Sequence, residues 1–320
     1  MRVFKLQRRG NIHHANRKTC DDAYYDAQIS EHTFLFVLAD GCSSARFGGV
    51  AADIISKEIV LAFQEPSLSD FVDIENEDWI GLTRRQLIRE CFNNSNAIKF
   101  QRLVKNIVDN AVGRYMNQTG MPFFDFSSTL LLCLVDTRNR KTVCLNIGDG
   151  FAGVISKGCL SVLASPQNIN GDSRRTYFVT DPYAVNNMEV SYLDKEYTRL
   201  ILTTDGLSKL YEESEYEKLF ASLCIPNDYE LYKKLISPFE GDSDYYYHLQ
   251  DDITLFVCEP VWIGKNKDNA KKTGSLKKKS VAKKNHYPRK KCHQQKHHLS
   301  KCFIRKIRHY LHPTVYHPSY

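Results

Sequence analysis

The 320-residue sequence lacks the features that mark several common classes of protein. No stretch approaches the roughly 20 consecutive apolar residues of a membrane-spanning helix, and no apolar run follows the basic residues near the start. The ten cysteines include no CxxC pair, which argues against a zinc site of the finger type. Cysteines that lie singly in strand-like runs, such as Cys133 and Cys144, are typical of reduced core thiols. These features predict a cytoplasmic protein without a transmembrane segment.

Charge is distributed unevenly along the chain. Residues 1–260 contain 27 lysines and arginines against 36 aspartates and glutamates, a net charge of −9, whereas residues 261–320 contain 17 against one, a net charge of +16. Residues 265–284 have almost no large apolar side chains, so little burial would offset the entropy of ordering them. We therefore predict a globular domain over residues 1–262 and a basic, disordered tail over 263–320, within which residues 301–311 have the pattern of an amphipathic helix.

Strand-like and helix-like segments occur in blocks within the globular part. Runs rich in β-branched and aromatic residues predict strands, and apolar residues at helical spacing predict helices. The predicted strands are Thr33–Leu38, Ser128–Val135, Thr142–Ile147, Gly150–Ile155, Leu200–Thr204 and Ile253–Val257, and the predicted helices are Gly48–Phe63, Arg84–Tyr115, Ser208–Leu210 onward and Asp228–Leu235. This order favours an α+β fold in which a pair of antiparallel sheets is covered by helices.

Aspartates recur where the predicted strands meet turns. The five positions are Asp21-Asp22, Asp40-Gly41, Asp149-Gly150, Asp205-Gly206 and Asp251-Asp252. A single Asp-Gly pair is typical of an ordinary turn. It is the ordered set of five positions that indicates a functional site. If the five corners converge at one edge of the sheets, their oxygens would form a site for a hard cation such as Mg²⁺ or Mn²⁺.

The aspartates belong to an ordered series of short motifs. The series consists of Arg17–Ala23, Phe36–Gly41, Phe126–Leu130, Asn146–Gly150, Leu202–Leu207 and Asp251–Thr254. Together the motifs resemble the type 2C family of metal-dependent serine/threonine protein phosphatases, and Gly171–Thr180 is similar to a segment of its bacterial-style branch. The resemblance implies a four-layer α-β-β-α sandwich and hydrolysis of phosphoserine and phosphothreonine on protein substrates.

The resemblance also implies a role for each matched position. Asp22, Asp40, Asp205 and Asp251, together with the backbone carbonyl of Gly41, would bind two Mg²⁺ or Mn²⁺ ions, and Asp40 would bridge both. Asp21 would hold a metal-bound water, Asp149 would help to bind a third, weaker ion, and Arg17 would grip the substrate phosphate. In this mechanism the two cations lower the pKa of a bridging water, which attacks phosphorus in line.

Three positions depart from the family pattern. Cys42 stands where a histidine is common, so leaving-group protonation by water is expected instead. Asp21 replaces a glutamate, and Asp252 replaces an asparagine and is interpreted either as a cap at a strand start or as a group that tunes the metal site. His13 and His14 are interpreted as exposed loop histidines.

Other functions remain open from the sequence. The fold could serve as a catalytically weak or silent binding module that is recruited through its basic tail, or as a phosphatase of a small phosphorylated metabolite. The tail is compatible with a solvated charge run, or with binding to nucleic acid, to an acidic protein, or to a membrane surface.

Overall fold

Two five-stranded sheets and seven α-helices make up the described part of the chain. The computed structural model describes residues 1–16, 18–65, 82–172, 175–210, 216–225, 227–235 and 250–263. The strands are β1 (Arg2–Arg8), β2 (Asp22–Gln28), β3 (Thr33–Asp40), β4 (Leu130–Asp136), β5 (Lys141–Ile147), β6 (Phe151–Ser156), β7 (Cys159–Ala164), β8 (Glu189–Leu193), β9 (Arg199–Thr203) and β10 (Ile253–Glu259). The α-helices are α1 (Asn11–Ala15), α2 (Gly48–Gln64), α3 (Arg84–Cys91), α4 (Ala97–Thr119), α5 (Gly206–Leu210), α6 (Tyr216–Leu223) and α7 (Asp228–Leu235).

Every strand pairing in the two sheets is antiparallel. One sheet has the order β1-β10-β9-β6-β7, and the other has the order β2-β3-β4-β5-β8. The second sheet is built largely from strands that follow one another in the chain, with β8 added beside β5. The first sheet instead joins the start of the chain to residues 253–259 through β1 and β10. The structure thus has the predicted pair of antiparallel sheets.

The central strands are apolar on both faces because both faces are buried. In β4, Leu130, Leu132 and Leu134 point towards the helices on one side, whereas Leu131 and Cys133 point into the space between the sheets. This alternation follows from the period-2 direction of side chains along a strand. A continuous apolar run therefore indicates a strand that is buried on both faces, here by a helix layer on one side and by the other sheet on the opposite side.

Helices cover the outer face of each sheet. Ile55 of α2 and Val108 of α4 pack into the cluster that lies on the second sheet, and Leu207, Leu223 and Leu231 of α5, α6 and α7 pack on the first. Between the sheets lies a third cluster that is centred on Phe256. The layers are thus helix, sheet, sheet and helix, which confirms the predicted four-layer sandwich.

The predicted helix Arg84–Tyr115 is wrong as a single element. It is divided into α3 and α4 by a short 3₁₀ turn at Asn94–Asn96. Asn93 starts this turn, where its side chain accepts a hydrogen bond from the backbone N–H of Ser95 at 3.2 Å. Asparagine side chains compete for backbone groups in this way and interrupt helices. Ile98, which follows this turn at the start of α4, is 54% exposed.

The sequence interpretation missed four strands, β1, β2, β7 and β8. Each lies at the edge of a sheet, where one side of the strand is less buried and the apolar run is shorter. β1 illustrates the difficulty, since its burial alternates between exposed and half-buried residues. Val3 contacts the cluster between the sheets, and Phe4 and Leu6 contact the outer cluster.

Ordered contacts continue to the last described residues. Trp262 donates a hydrogen bond to the backbone carbonyl of Tyr197 at 2.8 Å and packs edge-on against its ring. The backbone N–H of Ile263 donates to the carbonyl of Thr137 at 3.1 Å. The tail beyond residue 263 and the helix predicted at 301–311 lie outside the described residues, so the domain division at 262 stays a prediction. No helix among the described residues is long and apolar enough to cross a membrane.

Replacement of Phe256 tests the core between the sheets. Its ring is fully buried and meets Tyr24 and Phe36 edge-on, with centroids 5.4 Å away in each case. We expect Phe256→Ala to lower the free energy of unfolding by about 3–5 kcal/mol, because it leaves a cavity in a closely packed layer. Urea denaturation measures this loss. Phe124→Ala is the control, since Phe124 is 71% exposed; equal losses in the two variants would contradict the assigned packing.

Candidate metal centre

The aspartate corners meet at one edge of the paired sheets. Asp22 begins β2 and Asp40 ends β3, and these two residues are partners in the antiparallel register. Asp149 follows β5, Asp205 follows β9, and Asp251 precedes β10. The other four carboxylates all lie close enough to Asp40 to act on its charge. The fold thus brings together carboxylates that are up to 229 positions apart in the sequence.

Asp40, Asp149 and Asp205 form the centre of the cluster. Each offers one carboxylate oxygen, and these oxygens lie within 4.8 Å of one another. Burial raises the pKa of all three groups, and the neighbouring carboxylates raise the pKa of Asp40 and Asp205 further. Oδ1 of Asp205 is buried and has no hydrogen-bond partner in the described chain. A divalent cation would supply the missing partner and relieve the repulsion, so the donor set fits Mg²⁺ or Mn²⁺.

Asp22 is held beside this centre by hydroxyl groups. Its side chain is buried, and its Oδ2 accepts a hydrogen bond from Thr204 Oγ1 at 2.8 Å. Thr204 Oγ1 in turn accepts a hydrogen bond from the backbone N–H of Thr254 at 3.0 Å. Burial raises the pKa of Asp22 to about 7, although the hydrogen bond from Thr204 favours its ionised form. Thr204, which follows β9, thereby fixes the carboxylate at the start of β2.

A lysine that the sequence interpretation missed enters the site. Lys209 of α5 forms an ion pair with the carboxylate of Asp205, and its Nζ lies 2.6 Å from Asp251 Oδ2. Burial lowers the pKa of Lys209, but the two carboxylates outweigh this effect and raise it. The sequence does contain a sign of this ion pair: Lys209 follows Asp205 by four residues, the spacing at which side chains meet on a helix. Two predicted metal ligands thus share the ammonium group of Lys209, whose side chain is partly exposed.

The corner after β3 is fixed by its contacts with the next strand. The backbone N–H of Asp40 donates to Thr129 Oγ1 at 3.0 Å, and the N–H of Thr129 donates to the Asp40 carbonyl at 2.8 Å. Gly41 packs against the backbone of Gly48 at the start of α2, so closely that a Cβ atom would clash. Only glycine is compatible with this approach, which explains the Asp-Gly pair at this corner.

The interpretation of His13 as an exposed loop residue is wrong. His13 is 6% exposed, and its Nδ1 lies 2.8 Å from Asp252 Oδ2 while its Nε2 lies 3.3 Å from Asp21 Oδ2. Asp252 is also buried and accepts hydrogen bonds from the backbone N–H groups of Gly10 at 2.7 Å and Asp21 at 2.5 Å. His13 thus links the two carboxylates, and a charged residue at position 252 suits a histidine partner. His14 is exposed, as expected.

Asp21 lies at the side of the cluster. Burial raises the pKa of its carboxyl group, and the neighbouring His13 opposes that rise. Cys42 is half-buried, with its Sγ 3.0 Å from the hydroxyl of Ser44. Arg17, which is predicted to bind substrate phosphate, lies outside the described residues.

Comparison with protein families gives a match over more than half of the chain. A family model described as protein phosphatase 2C matches residues 9–236. No curated protein sequence gives a significant match.

Solved structures share the fold at low sequence identity. The serine/threonine phosphatase Stp1 from Staphylococcus aureus is 16% identical, with a TM-score of 0.55 over 81% of this chain and 94% of that chain. The serine/threonine phosphatase PstP/Ppp of Mycobacterium tuberculosis is 15% identical, with a TM-score of 0.52 over 81% and 97%. The catalytic domain of PstP in complex with two manganese ions is 16% identical, with a TM-score of 0.52 over 81% and 97%. Since the family model covers more than half of the chain, the chain belongs to the protein phosphatase 2C family of metal-dependent protein phosphatases.

Proposed function

We propose that the protein hydrolyses phosphoserine and phosphothreonine esters on other proteins, with Mg²⁺ or Mn²⁺ held by the aspartate cluster. The observation that supports this best is the convergence of Asp40, Asp149 and Asp205, together with the unpartnered oxygen of Asp205. A bound cation would relieve the repulsion among these carboxylates. The structural relative that contains two manganese ions supports the same chemistry here.

Each predicted ligand has a place in this proposal. Asp22, Asp40, Asp205 and Asp251, with the carbonyl of Gly41, would hold two ions, and Asp149 would contribute to a third position. When bound, the ions activate water and neutralise charge on the phosphoryl oxygens. The residues of the chain orient the carboxylates and bind the substrate phosphate.

The chain orients its carboxylates through buried hydrogen bonds. Thr129 fixes the backbone of Asp40, and Thr204 holds Asp22. Asp252 holds the backbone of Asp21 while His13 contacts the Asp21 side chain. Groups fixed in this way need no reorganisation when charge develops on the substrate.

Hydrolysis transfers the phosphoryl group to water. The oxygen of a water molecule bonds to phosphorus as the P–O bond to the serine or threonine oxygen breaks, the attacking water gives up a proton, and the leaving oxygen gains one to become a hydroxyl group. Arg17 is proposed to bind the phosphoryl oxygens through its planar fork. Cys42 stands where the family often has histidine, and His13 is buried against Asp252, so water is left as the proton donor.

The proposal extends to location and to the tail. A cytoplasmic location accords with the eight cysteines of the described chain, all of which are free thiols. A role in signalling rests on the proposed removal of phosphate from proteins. Residues 263–320 are proposed to form a separate basic segment, because their charge is opposite to that of the preceding domain. The silent binding module is less favoured, since every predicted ligand position retains its carboxylate.

Loss of one cluster carboxylate is expected to abolish turnover. We expect Asp40→Asn and Asp205→Asn each to reduce phosphate release from a phosphothreonine peptide by more than about 100-fold, because even groups that only orient a metal ligand are worth 10- to 100-fold. The assay compares activity with and without Mn²⁺. Asp194→Asn, at an exposed position, is the control and should retain full activity. A folded wild-type protein that binds Mn²⁺ but hydrolyses no phosphoester would favour the silent module instead.

Removal of Lys209 is expected to strengthen metal binding. Its ammonium group neutralises Asp205 and Asp251 and so competes with a cation for the same oxygens. We expect Lys209→Met to increase Mn²⁺ affinity about tenfold, within the usual range of coupling between two sites. Isothermal titration calorimetry measures the affinity independently of activity. Lys195→Met removes an exposed lysine and should leave the affinity unchanged; a decrease for Lys209→Met would show that the lysine supports the bound ion.

The raised pKa of Asp22 predicts a pH effect on the metal-free protein. A carboxyl group whose pKa is higher in the folded state stabilises the fold below its unfolded pKa and loses this contribution as pH rises through about 7. Relative to wild type, Asp22→Asn should therefore gain on the order of 2 kcal/mol in unfolding free energy between pH 5 and pH 8. Denaturant titrations in the presence of a chelator measure this difference. A difference that does not vary with pH would contradict the assignment.

A further inference from the structure

A basic groove lies at the far end of the second sheet from the aspartate cluster. It has a volume of about 1160 Å³ and is lined by residues 29–33, by α3 with Phe92, and by the β4–β5 turn with the first residue of β5. Strand β3 begins at Thr33 in the groove and ends at Asp40 in the cluster. Seven residue steps of about 3.3 Å place the two sites roughly 23 Å apart. The groove is therefore separate from the metal centre.

Positive charge dominates the lining of the groove. The basic side chains are Arg84, Arg85, Arg89, Arg138, Arg140 and Lys141, and the acidic ones are Glu31 and Asp136. The Asp136 carboxylate already accepts hydrogen bonds from the backbone N–H groups of Arg138 and Asn139, each at 2.9 Å. This local excess of cations contrasts with the net charge of −9 of residues 1–260.

Three of the arginines are available to a ligand. Arg84 donates to the carbonyl of Gln64 at 2.5 Å, and Arg140 pairs with Glu196 at 2.9 Å. The side chains of Arg85, Arg89 and Arg138 are exposed, and none of them forms an ion pair or hydrogen bond with the described chain. They belong to two different segments, α3 and the β4–β5 turn, so they flank the groove from both sides. Guanidinium groups with free donors suit carboxylates, which they bind through two parallel hydrogen bonds.

The floor of the groove is apolar. Ile29, Ile88 and Phe92 line it and are 2%, 7% and 7% exposed. A base-stacking surface would need an exposed aromatic face, which Phe92 does not offer. A long nucleic acid would also extend beyond the groove and meet the acidic remainder of the domain. A short acidic peptide with an occasional apolar side chain meets neither obstacle.

We propose that this groove binds an acidic segment of a partner protein, with Arg85, Arg89 and Arg138 pairing with its carboxylates. The bound segment lies away from the metal centre, so the interaction is a docking contact that does not depend on phosphoester hydrolysis. Exposed ion pairs of this kind are individually weak and are screened by salt. We therefore expect a reversible contact that is weakened at high ionic strength.

Peptide binding to the full chain tests the proposal. The probe is a fluorescein-labelled peptide of about ten residues, mostly glutamate and aspartate with one central leucine, which spans roughly 33 Å when extended. Arg85→Gln/Arg89→Gln/Arg138→Gln removes the available cations. The matched control, Lys57→Gln/Arg102→Gln/Lys195→Gln, removes three exposed cations outside the groove. We expect fluorescence anisotropy to show about tenfold weaker binding for the groove variant than for the control, from three pairs of ordinary strength.

Cross-linking distinguishes the groove from the basic tail. A photoreactive version of the peptide should label residues 29–33, 84–92 or 136–141, as identified by mass spectrometry. Equal affinities for the two variants, or labelling confined to residues 264–320, would overturn the proposal. So would tighter groove-dependent binding of a single-stranded oligonucleotide of equal charge. A last outcome would also overturn the proposal: the peptide binds only after Asp70, Asp73, Glu75, Glu77 and Asp78 have been replaced by neutral residues. The groove would then belong to the chain's own acidic segment and not to a partner protein.

Discussion

Repulsion among buried carboxylates is the interaction around which this structure is organised. The carboxylates of Asp22, Asp149, Asp205 and Asp251 all lie close enough to Asp40 to act on its charge. Burial raises the pKa of Asp22, Asp40, Asp149 and Asp205 and so opposes their ionised forms. Such an arrangement persists only if rigid elements hold it. The two sheets do so because their central strands are packed on both faces and cannot shift without disturbing the core. The carboxylate cluster thus lowers the stability of the fold, although the proposed chemistry requires the cluster.

The polar groups around the cluster reduce the repulsion among its carboxylates and hold them in place. Lys209 neutralises two of the carboxylates, Thr204 holds Asp22, and His13 with Asp252 fixes the segment that carries Asp21. These partners come from α5, from the residues that follow β9 and precede β10, and from the short helix α1. Their effect is that the chain itself holds the carboxylates of the candidate centre in place. Such preorganisation is what electrostatic catalysis requires.

The sequence predicted those features that depend on short-range patterns. Continuous apolar runs gave the interior strands, and aspartates at strand ends gave the cluster, because each signal lies within a few residues. Edge strands such as β1 were missed since their burial is partial. His13 and Lys209 were missed since their roles depend on partners that only the fold provides: Asp252 lies 239 positions from His13, and Asp251 lies 42 positions from Lys209. The basic groove was beyond the sequence for the same reason, as it joins three segments.

The pairing of β1 with β10 has a consequence for synthesis on the ribosome. Among the described strands, residues 2–8 pair with residues 253–259, and Gly10 and Asp21 are bound by Asp252. A nascent chain can therefore assemble the second sheet and its helices early, while its first strand waits without a neighbour. The centre gains its last carboxylate, Asp251, just before this strand is paired. Nascent chains that stop short of residue 251 would carry most of the core and no complete centre, so the order of translation itself delays activity until the fold is closed.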